Sequence, residues 1–248
     1  MLNDLLLLSG NDIPFAEAQL TIHQPTVKEI GYIGEENFFT GYQMLKVSKN
    51  SLSLEDKVDL DKLTNFDILI AILRERNAVM QKNKTCVFMV LSLLFPEYSI
   101  KVLNDGIALT KEDNEEETRH ISKENFEVFQ SILKHMFEFD KDSDTDDFNP
   151  DGQMAARIAA KLRKRHQKLA EAKGGDAKKI DIISRSTSIL SIGLKIDLKE
   201  ILNYTVYQLF DQVRRYELKT DYDMYVSAKM AGAQDIKDPE DWMKDIHS

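Results

Sequence analysis

The sequence predicts a mainly α-helical fold of the α+β class, with a helical bundle-like core, one or two small β-hairpins and a helical C-terminal part. The first indication is the stretch 64–96, which is apolar on too many sides for helices that lie on a surface. The second is Asn104-Asp105-Gly106 between the apolar runs 98–103 and 107–110, the usual sequence of a tight hairpin turn that needs positive φ. A chain of 248 residues is long enough for one large or two small domains.

Two short strands are predicted near the N-terminus, over residues 5–8 and 19–22, because both runs are short, apolar and separated by turn-forming residues. Thr26 and Glu29 then have the spacing of a capping box, in which each side chain satisfies the backbone N–H of the other. This spacing predicts a short helix to about Ile33, which Gly34 ends.

Helical periodicity continues through the middle of the chain. It predicts a helix over 35–47 and a polar connector over 48–61. Two core helices follow, joined or bent at Asn77 and at 82–84, and Pro96 ends the second. After the hairpin we expect a solvated acidic turn at 113–117. Ser122 is predicted to cap a helix to about residue 139 whose apolar stripe contains Phe126, Phe129, Leu133 and Phe137.

The charge-dense run 140–147 predicts a domain boundary. We therefore divide the chain into a helical domain with hairpins (1–139), an acidic linker (140–152) and a helical C-terminal region (153–248). In that region 153–173 is rich in helix-forming residues, whereas the state of 180–194 is left open because its helical phase is poor. Asp197 is predicted to cap the longest helix, followed by a further helix over 222–230 and a last turn from Asp238.

The formal net charge of −9 is unevenly distributed. Residues 151–180 contain 9 basic and 3 acidic residues between two acidic flanks, so this segment binds either a partner or its own flanks. The single cysteine, Cys86, excludes an internal disulfide and is compatible with a reducing compartment. No run approaches the length of a membrane span, so we expect a soluble protein.

The acidic run is also the nearest approach to a metal-binding loop. Thr145 stands where a calcium loop needs glycine for its sharp turn, and Asp151 stands where a longer Glu is usual. We therefore favour a solvated linker and expect no metal and no other cofactor. The aspartates at positions 1, 3, 5 and 7 of this possible calcium loop are Asp140, Asp142, Asp144 and Asp146.

The five histidines are far apart, and no nucleophile turn or phosphate-binding glycine loop is present, so we expect a non-enzymatic protein.

Two segments are candidate binding surfaces. The basic helix 157–179 could neutralise phosphates, but it lacks aromatic side chains that stack on bases, so a solvated or protein-facing helix is favoured. The C-terminal segment instead concentrates aromatic and methionine side chains, the types enriched in protein contacts, although helix packing explains some of them. The predicted partner-binding residues are Tyr204, Tyr207, Phe210, Tyr216, Tyr222, Met224, Tyr225, Met230 and Trp242.

Three stretches together resemble tail assembly chaperones of tailed bacteriophages from Gram-positive hosts. They are 24–30 with 34–38 (QPTVKEI and GEENF), the central helices with Leu94-Phe95-Pro96, and the tail 230–233 (MAGA) followed by Glu240-Asp241-Trp242. Membership would imply a helical, non-enzymatic protein of the host cytoplasm. It would bind the tape-measure protein while the tail tube polymerises and then leave.

This resemblance leads to a functional expectation: an adaptor for an amphipathic helical client, with no catalytic residue. A structural tail or baseplate subunit is the first alternative. A nucleic-acid-associated protein that uses 157–179 is the second, and its binding would weaken steeply with salt.

Overall fold

The computed structural model describes residues 3–48, 63–75, 78–103, 106–111, 114–137, 181–233 and 238–243. Within these ranges the fold is mainly helical with two small antiparallel sheets, which confirms the predicted class. The helices are α1 (Asp4–Ser9), α2 (Val27–Ile33), α3 (Glu35–Leu45), α4 (Asn65–Arg74), α5 (Ala78–Leu94), α6 (Phe126–Phe137), α7 (Ile182–Leu194), α8 (Leu198–Ile201) and α9 (Val206–Met230), with a 3-10 turn at Ala16–Ala18. The strands are β1 (Ile13–Phe15), β2 (Leu20–Ile22), β3 (Tyr98–Val102), β4 (Gly106–Lys111) and β5 (Asn114–Ser122).

The two sheets are built from neighbouring strands. β1 pairs antiparallel with β2, with Ile13 opposite Ile22, and both of these residues are fully buried. The second sheet has the order β3-β4-β5, and the predicted hairpin forms its first pair, with Val102 opposite Ile107. The inner face of β4 supplies Ile107 and Leu109 to the core.

Phe129 on α6 lies at the centre of an aromatic core. Its ring is 5.9 Å from that of Phe15 on β1, 6.1 Å from that of Phe95 after α5, and 6.2 Å from that of Phe126. All four rings are buried. The predicted apolar stripe of α6 is confirmed, because its residues are buried. Through Phe129 the stripe packs against the first hairpin and the end of α5.

Helices α3 and α5 pack in close contact at Gly41. A Cβ added at Gly41 would lie 2.3 Å from the backbone oxygen of Cys86, a distance that real Cβ atoms do not adopt. Glycine at this position therefore permits the two backbones to approach each other. The Cys86 side chain is buried in this contact, and burial raises the pKa of its thiol.

Residues 181–233 pack directly on the N-terminal part of the chain. Thr26 and Thr205 form an antiparallel bridge. The N–H of Val27 donates to the carbonyl of Tyr204, and that of Lys28 to the carbonyl of Leu202, both at 2.9 Å. These bonds satisfy N-terminal donors of α2, which also begins with the predicted Thr26–Glu29 capping box. The acidic linker, the segment 153–173 and most of the connector 48–61 lie outside the described residues, and the proposed domain division remains a prediction.

Several local predictions are wrong. Residues 5–8 are helical, because Asn3 caps α1 and Gly10 ends it in the left-handed conformation, and Pro14 lies within β1 instead of separating strands. The acidic turn at 113–117 is largely replaced by β5, whose backbone pairs with β4. The α6 helix begins at Phe126 instead of after Ser122, whose N–H is bound by the side chain of Asn125 at 2.9 Å.

The long C-terminal helix is also divided differently from the prediction. Asp197 caps only the four-residue α8, and a new capping box formed by Thr205 and Gln208 begins α9. The predicted separate helix over 222–230 is continuous with α9. The open segment 180–194 forms α7. Within the ranges that the structure describes, no helix is both long and apolar enough to span a membrane.

Candidate functional site

The proximal part of α9 is held against the N-terminal helices. The ring of Tyr207 is buried, and its hydroxyl donates to Asp4 at 3.4 Å. The amide of Gln208 donates to the carbonyl of Leu8 at 2.7 Å. Tyr204 and Phe210 are half-buried in the same region. These three predicted binding residues, Tyr204, Tyr207 and Phe210, thus lie where α9 joins the core.

Tyr216 packs against α7. A Cβ at Gly193 would lie 2.4 Å from the Tyr216 ring, so the ring occupies the space that a side chain at position 193 would fill. Tyr216 itself is half-buried. Its position makes it part of the contact between α7 and α9.

The distal part of α9 is mostly exposed. Tyr222, Met224 and Met230 have exposed fractions of 39%, 59% and 85%. At 100° per residue these three side chains project from different sides of the helix, so they do not form one stripe. They present separate apolar contacts around a charged helix whose Lys219 pairs with Asp223 at 2.5 Å.

The C-terminal segment 238–243 folds back along α9. Tyr225 donates its hydroxyl to Asp238 at 2.6 Å, and this hydrogen bond raises the pKa of Tyr225. Nearer the helix start, Arg214 lies 3.5 Å from Glu240. The ammonium of Lys219 lies 5.7 Å from the centre of the Trp242 ring, a cation–π distance. Tyr225 and Trp242 therefore hold this segment to the helix, and both are half-buried.

A second apolar surface was not among the predicted sites. Ile189 and Ile192 on α7 have exposed fractions of 43% and 81%, and Leu194 and Leu198 follow at 39% and 47%. Ile189 and Ile192 lie on the outer side of α7, whereas Leu194 follows buried Leu190 by four residues on the other side, and Leu198 belongs to α8. The poor helical phase of 180–194 indicated this surface, because apolar residues on both sides of a helix leave some on its outer face.

A histidine between two carboxylates connects the first hairpin to α2. Nδ1 of His23 lies 3.0 Å from Asp12, and Nε2 lies 3.2 Å from Glu29. Glu29 also accepts from the N–H of Thr26 at 2.7 Å. Both ring nitrogens of His23 are engaged, so the cluster stabilises the start of α2. Among the described residues no group of His, Cys, Asp or Glu could hold a metal ion.

Residues 181–247 match a family model described as the YomV second domain. The match indicates a phage-type, YomV-like domain, which contains α7, α8, α9 and the returning segment. No curated protein and no solved structure matches the chain. Both apolar surfaces described above therefore lie within the matched part of the chain.

Proposed function

We propose that this protein is a non-enzymatic phage adaptor that binds an amphipathic helical client, in the manner of a tail assembly chaperone, with a tape-measure protein as the client. Two separate findings support the proposal. The matched domain is of phage type, and it carries exposed apolar side chains on a helix whose other end is fixed in the core.

The observation that carries the proposal is the exposure of Tyr222, Met224 and Met230 on the distal part of α9. Methionine is flexible and polarisable, so it adapts to irregular apolar surfaces of a partner helix. Holding these side chains on a formed helix lowers the ordering cost of binding. The charged residues between them keep the helix hydrated when no client is bound.

The nine predicted contact residues divide into two groups under this proposal. We expect Tyr222, Met224 and Met230 to contact the client, with Tyr225 and Trp242 at the returning segment beside them. The remaining four, Tyr204, Tyr207, Phe210 and Tyr216, support the helix through packing. Truncating a buried member such as Tyr207 is therefore expected to affect folding before binding.

The test is co-expression of the full chain with the candidate tape-measure protein, followed by pull-down and a binding titration. The double variant Met224→Ser/Met230→Ser should bind at least about tenfold more weakly, since removing buried apolar contacts from an interface costs about 2 kcal/mol. Tyr32→Ser is the matched control, because Tyr32 is 81% exposed on α2, outside the matched domain.

Two results would contradict the proposal. A folded double variant with wild-type affinity would show that the client does not use distal α9. A wild-type chain that neither binds nor solubilises the client, and that copurifies with mature particles, would favour the alternative of a structural tail or baseplate subunit.

A further inference from the structure

The distal part of α9 has one side on which apolar and aromatic residues follow each other along the helix. Leu218, Tyr222 and Tyr225 are separated by four and three residues, so their side chains project within about 60° of each other at 100° per residue. We call these three residues the α9 stripe. This spacing is typical of a helix that packs against a partner helix.

Leu218 is covered although its surroundings are open. Its side chain is 4% exposed, whereas Tyr222 in the next turn is 39% exposed and Asp221 is exposed as well. Helix α7 packs against α9 at Tyr216. Because Leu218 follows Tyr216 by two residues, it lies about 160° further round the helix. The contact between Tyr216 and α7 therefore does not cover Leu218.

The returning segment 238–243 crosses α9 at the position of Leu218. Arg214 and Arg215 precede Leu218 by four and three residues, so they lie on either side of it on the helix surface. Arg214 lies 3.5 Å from a carboxylate oxygen of Glu240, and Arg215 donates to the carbonyl of Trp242 at 3.5 Å. The segment thus has contacts on both sides of the α9 stripe.

Two further contacts hold the segment along the stripe. Tyr225, a member of the stripe, donates its hydroxyl to Asp238 at 2.6 Å, and the Trp242 ring lies 5.7 Å from the ammonium of Lys219. Residues 238–243 form neither a helix nor a strand. Ion pairs and cation–π contacts at solvent-exposed positions are individually weak, so the segment can leave α9 without unfolding the helix.

We propose that the α9 stripe receives the apolar side of the client helix, and that the returning segment occupies the stripe until the client displaces it. This inference rests on the proposed function. Tyr222 is partly open with the segment in place and supplies the first contact. Displacement then adds Leu218 and Tyr225, which join Tyr222 in one continuous stripe. The apparent affinity for the client is reduced in proportion to the fraction of molecules whose stripe is uncovered.

The test follows the segment and the client separately in the full chain. Trp242 is the single tryptophan of the sequence, so its fluorescence reports on the returning segment. Asp238→Ala and Tyr225→Phe remove the same hydrogen bond from opposite sides. Each should raise acrylamide quenching of Trp242 at least about twofold, and each should bind the candidate tape-measure protein at least about threefold more tightly, because more molecules have an uncovered stripe.

Asp241→Ala is the matched control. It removes a carboxylate from the same segment, but this carboxylate accepts from the N–H of Met243 within the same turn, at 2.9 Å. Neither the quenching of Trp242 nor the client affinity should change. Circular dichroism and thermal melting establish that each variant is folded. Tighter binding by Tyr225→Phe separates displacement from simple contact, since losing a client contact would weaken binding.

The outcomes distinguish this inference from the function on which it rests. Unchanged quenching of Trp242 in both variants would show that the hydrogen bond does not hold the segment, and would overturn the inference. Raised quenching with wild-type client affinity would show that the segment does not cover the client's surface, and would overturn it as well. The proposed function would stand in both cases. If neither wild type nor the variants bind the client, the proposed function fails and this inference fails with it.

Discussion

Glu35 caps helix α7 at Ser184, from a position nearly 150 residues earlier in the chain. One carboxylate oxygen accepts from the N–H of Ile183 at 2.5 Å, and the other accepts from the N–H and the hydroxyl of Ser184 at 3.2 and 3.0 Å. Asp181, the residue at the cap position itself, makes no side-chain capping bond. The start of α7 therefore depends on a carboxylate that only tertiary folding brings to it.

Removing this carboxylate should destabilise the protein. We expect Glu35→Ala to lower the free energy of unfolding by about 1–2 kcal/mol, the cost of losing a helix cap. Urea denaturation measures the change in the free energy of unfolding. Hydrogen exchange at the first amides of α7 tests whether the loss of stability arises at the start of this helix. Glu36→Ala is the neighbouring control: its exposed pair with Lys82, at 3.2 Å, should contribute less than about 1 kcal/mol. Equal effects of the two substitutions would contradict the capping role.

Adding one methyl group at Gly41 should destabilise the contact between α3 and α5. The new Cβ would meet the backbone of Cys86 at 2.3 Å, so one helix must move. We expect Gly41→Ala to cost about 1–3 kcal/mol in chemical denaturation. Gly31→Ala is the control, because a Cβ there meets nothing within 4 Å and alanine favours α2 by up to about 1 kcal/mol. A neutral Gly41→Ala would mean that these helices are not in close contact.

The His23 cluster predicts a pH-dependent contribution to stability. Partial burial alone lowers the pKa of His23, but hydrogen bonds to Asp12 and Glu29 outweigh it and raise the pKa above 6.5. Since the folded-state pKa is raised, the stabilisation is fully present below the unfolded value of 6.5 and is lost as pH rises through the folded-state pKa.

Glu29 sets the lower pH limit of this stabilisation. Burial raises the pKa of its carboxyl, but hydrogen bonds from Thr26 and His23 lower it below 4.5, so its contribution is lost as pH falls through the folded-state pKa. His23→Gln should therefore cost most between about pH 5 and 6.5, by up to roughly 1 kcal/mol, and less at alkaline pH. Urea denaturation at a series of pH values measures this loss in the free energy of unfolding, with His135→Gln as the control. A cost that does not depend on pH would contradict the cluster's role.

Lys195 offers a substitution that should increase stability. It ends α7 with φ of 56°, in the left-handed region where a side chain is unfavourable. We expect Lys195→Gly to raise the free energy of unfolding by about 0.5–1 kcal/mol. Lys195→Ala, which keeps the Cβ, should give no gain. If glycine destabilises while alanine does not, the Lys195 backbone is not in this conformation.

The local features of the sequence determined much of the N-terminal fold. The Thr26–Glu29 capping box, Gly34 and the spacing of Phe126, Phe129 and Phe137 each predicted structure correctly, because the interactions involved span only a few residues. The hairpin around Gly106 belongs to the same group. In the C-terminal segment, residue type alone did not separate exposed Met224 and Met230 from buried Tyr207. Core packing and partner binding favour the same types of side chain, so all three were predicted as binding residues.

Tertiary structure decided the features that depend on distant partners. The acidic β5 forms because β4 satisfies its backbone hydrogen bonds, although its sequence favours a turn. The C-terminal helix breaks after α8 because the carbonyls of Leu202 and Tyr204 accept from the start of α2. Helix α7 begins where Glu35 reaches it. In each case a backbone group is satisfied by a partner far away in the chain, and such a pairing leaves no periodic pattern in the local sequence.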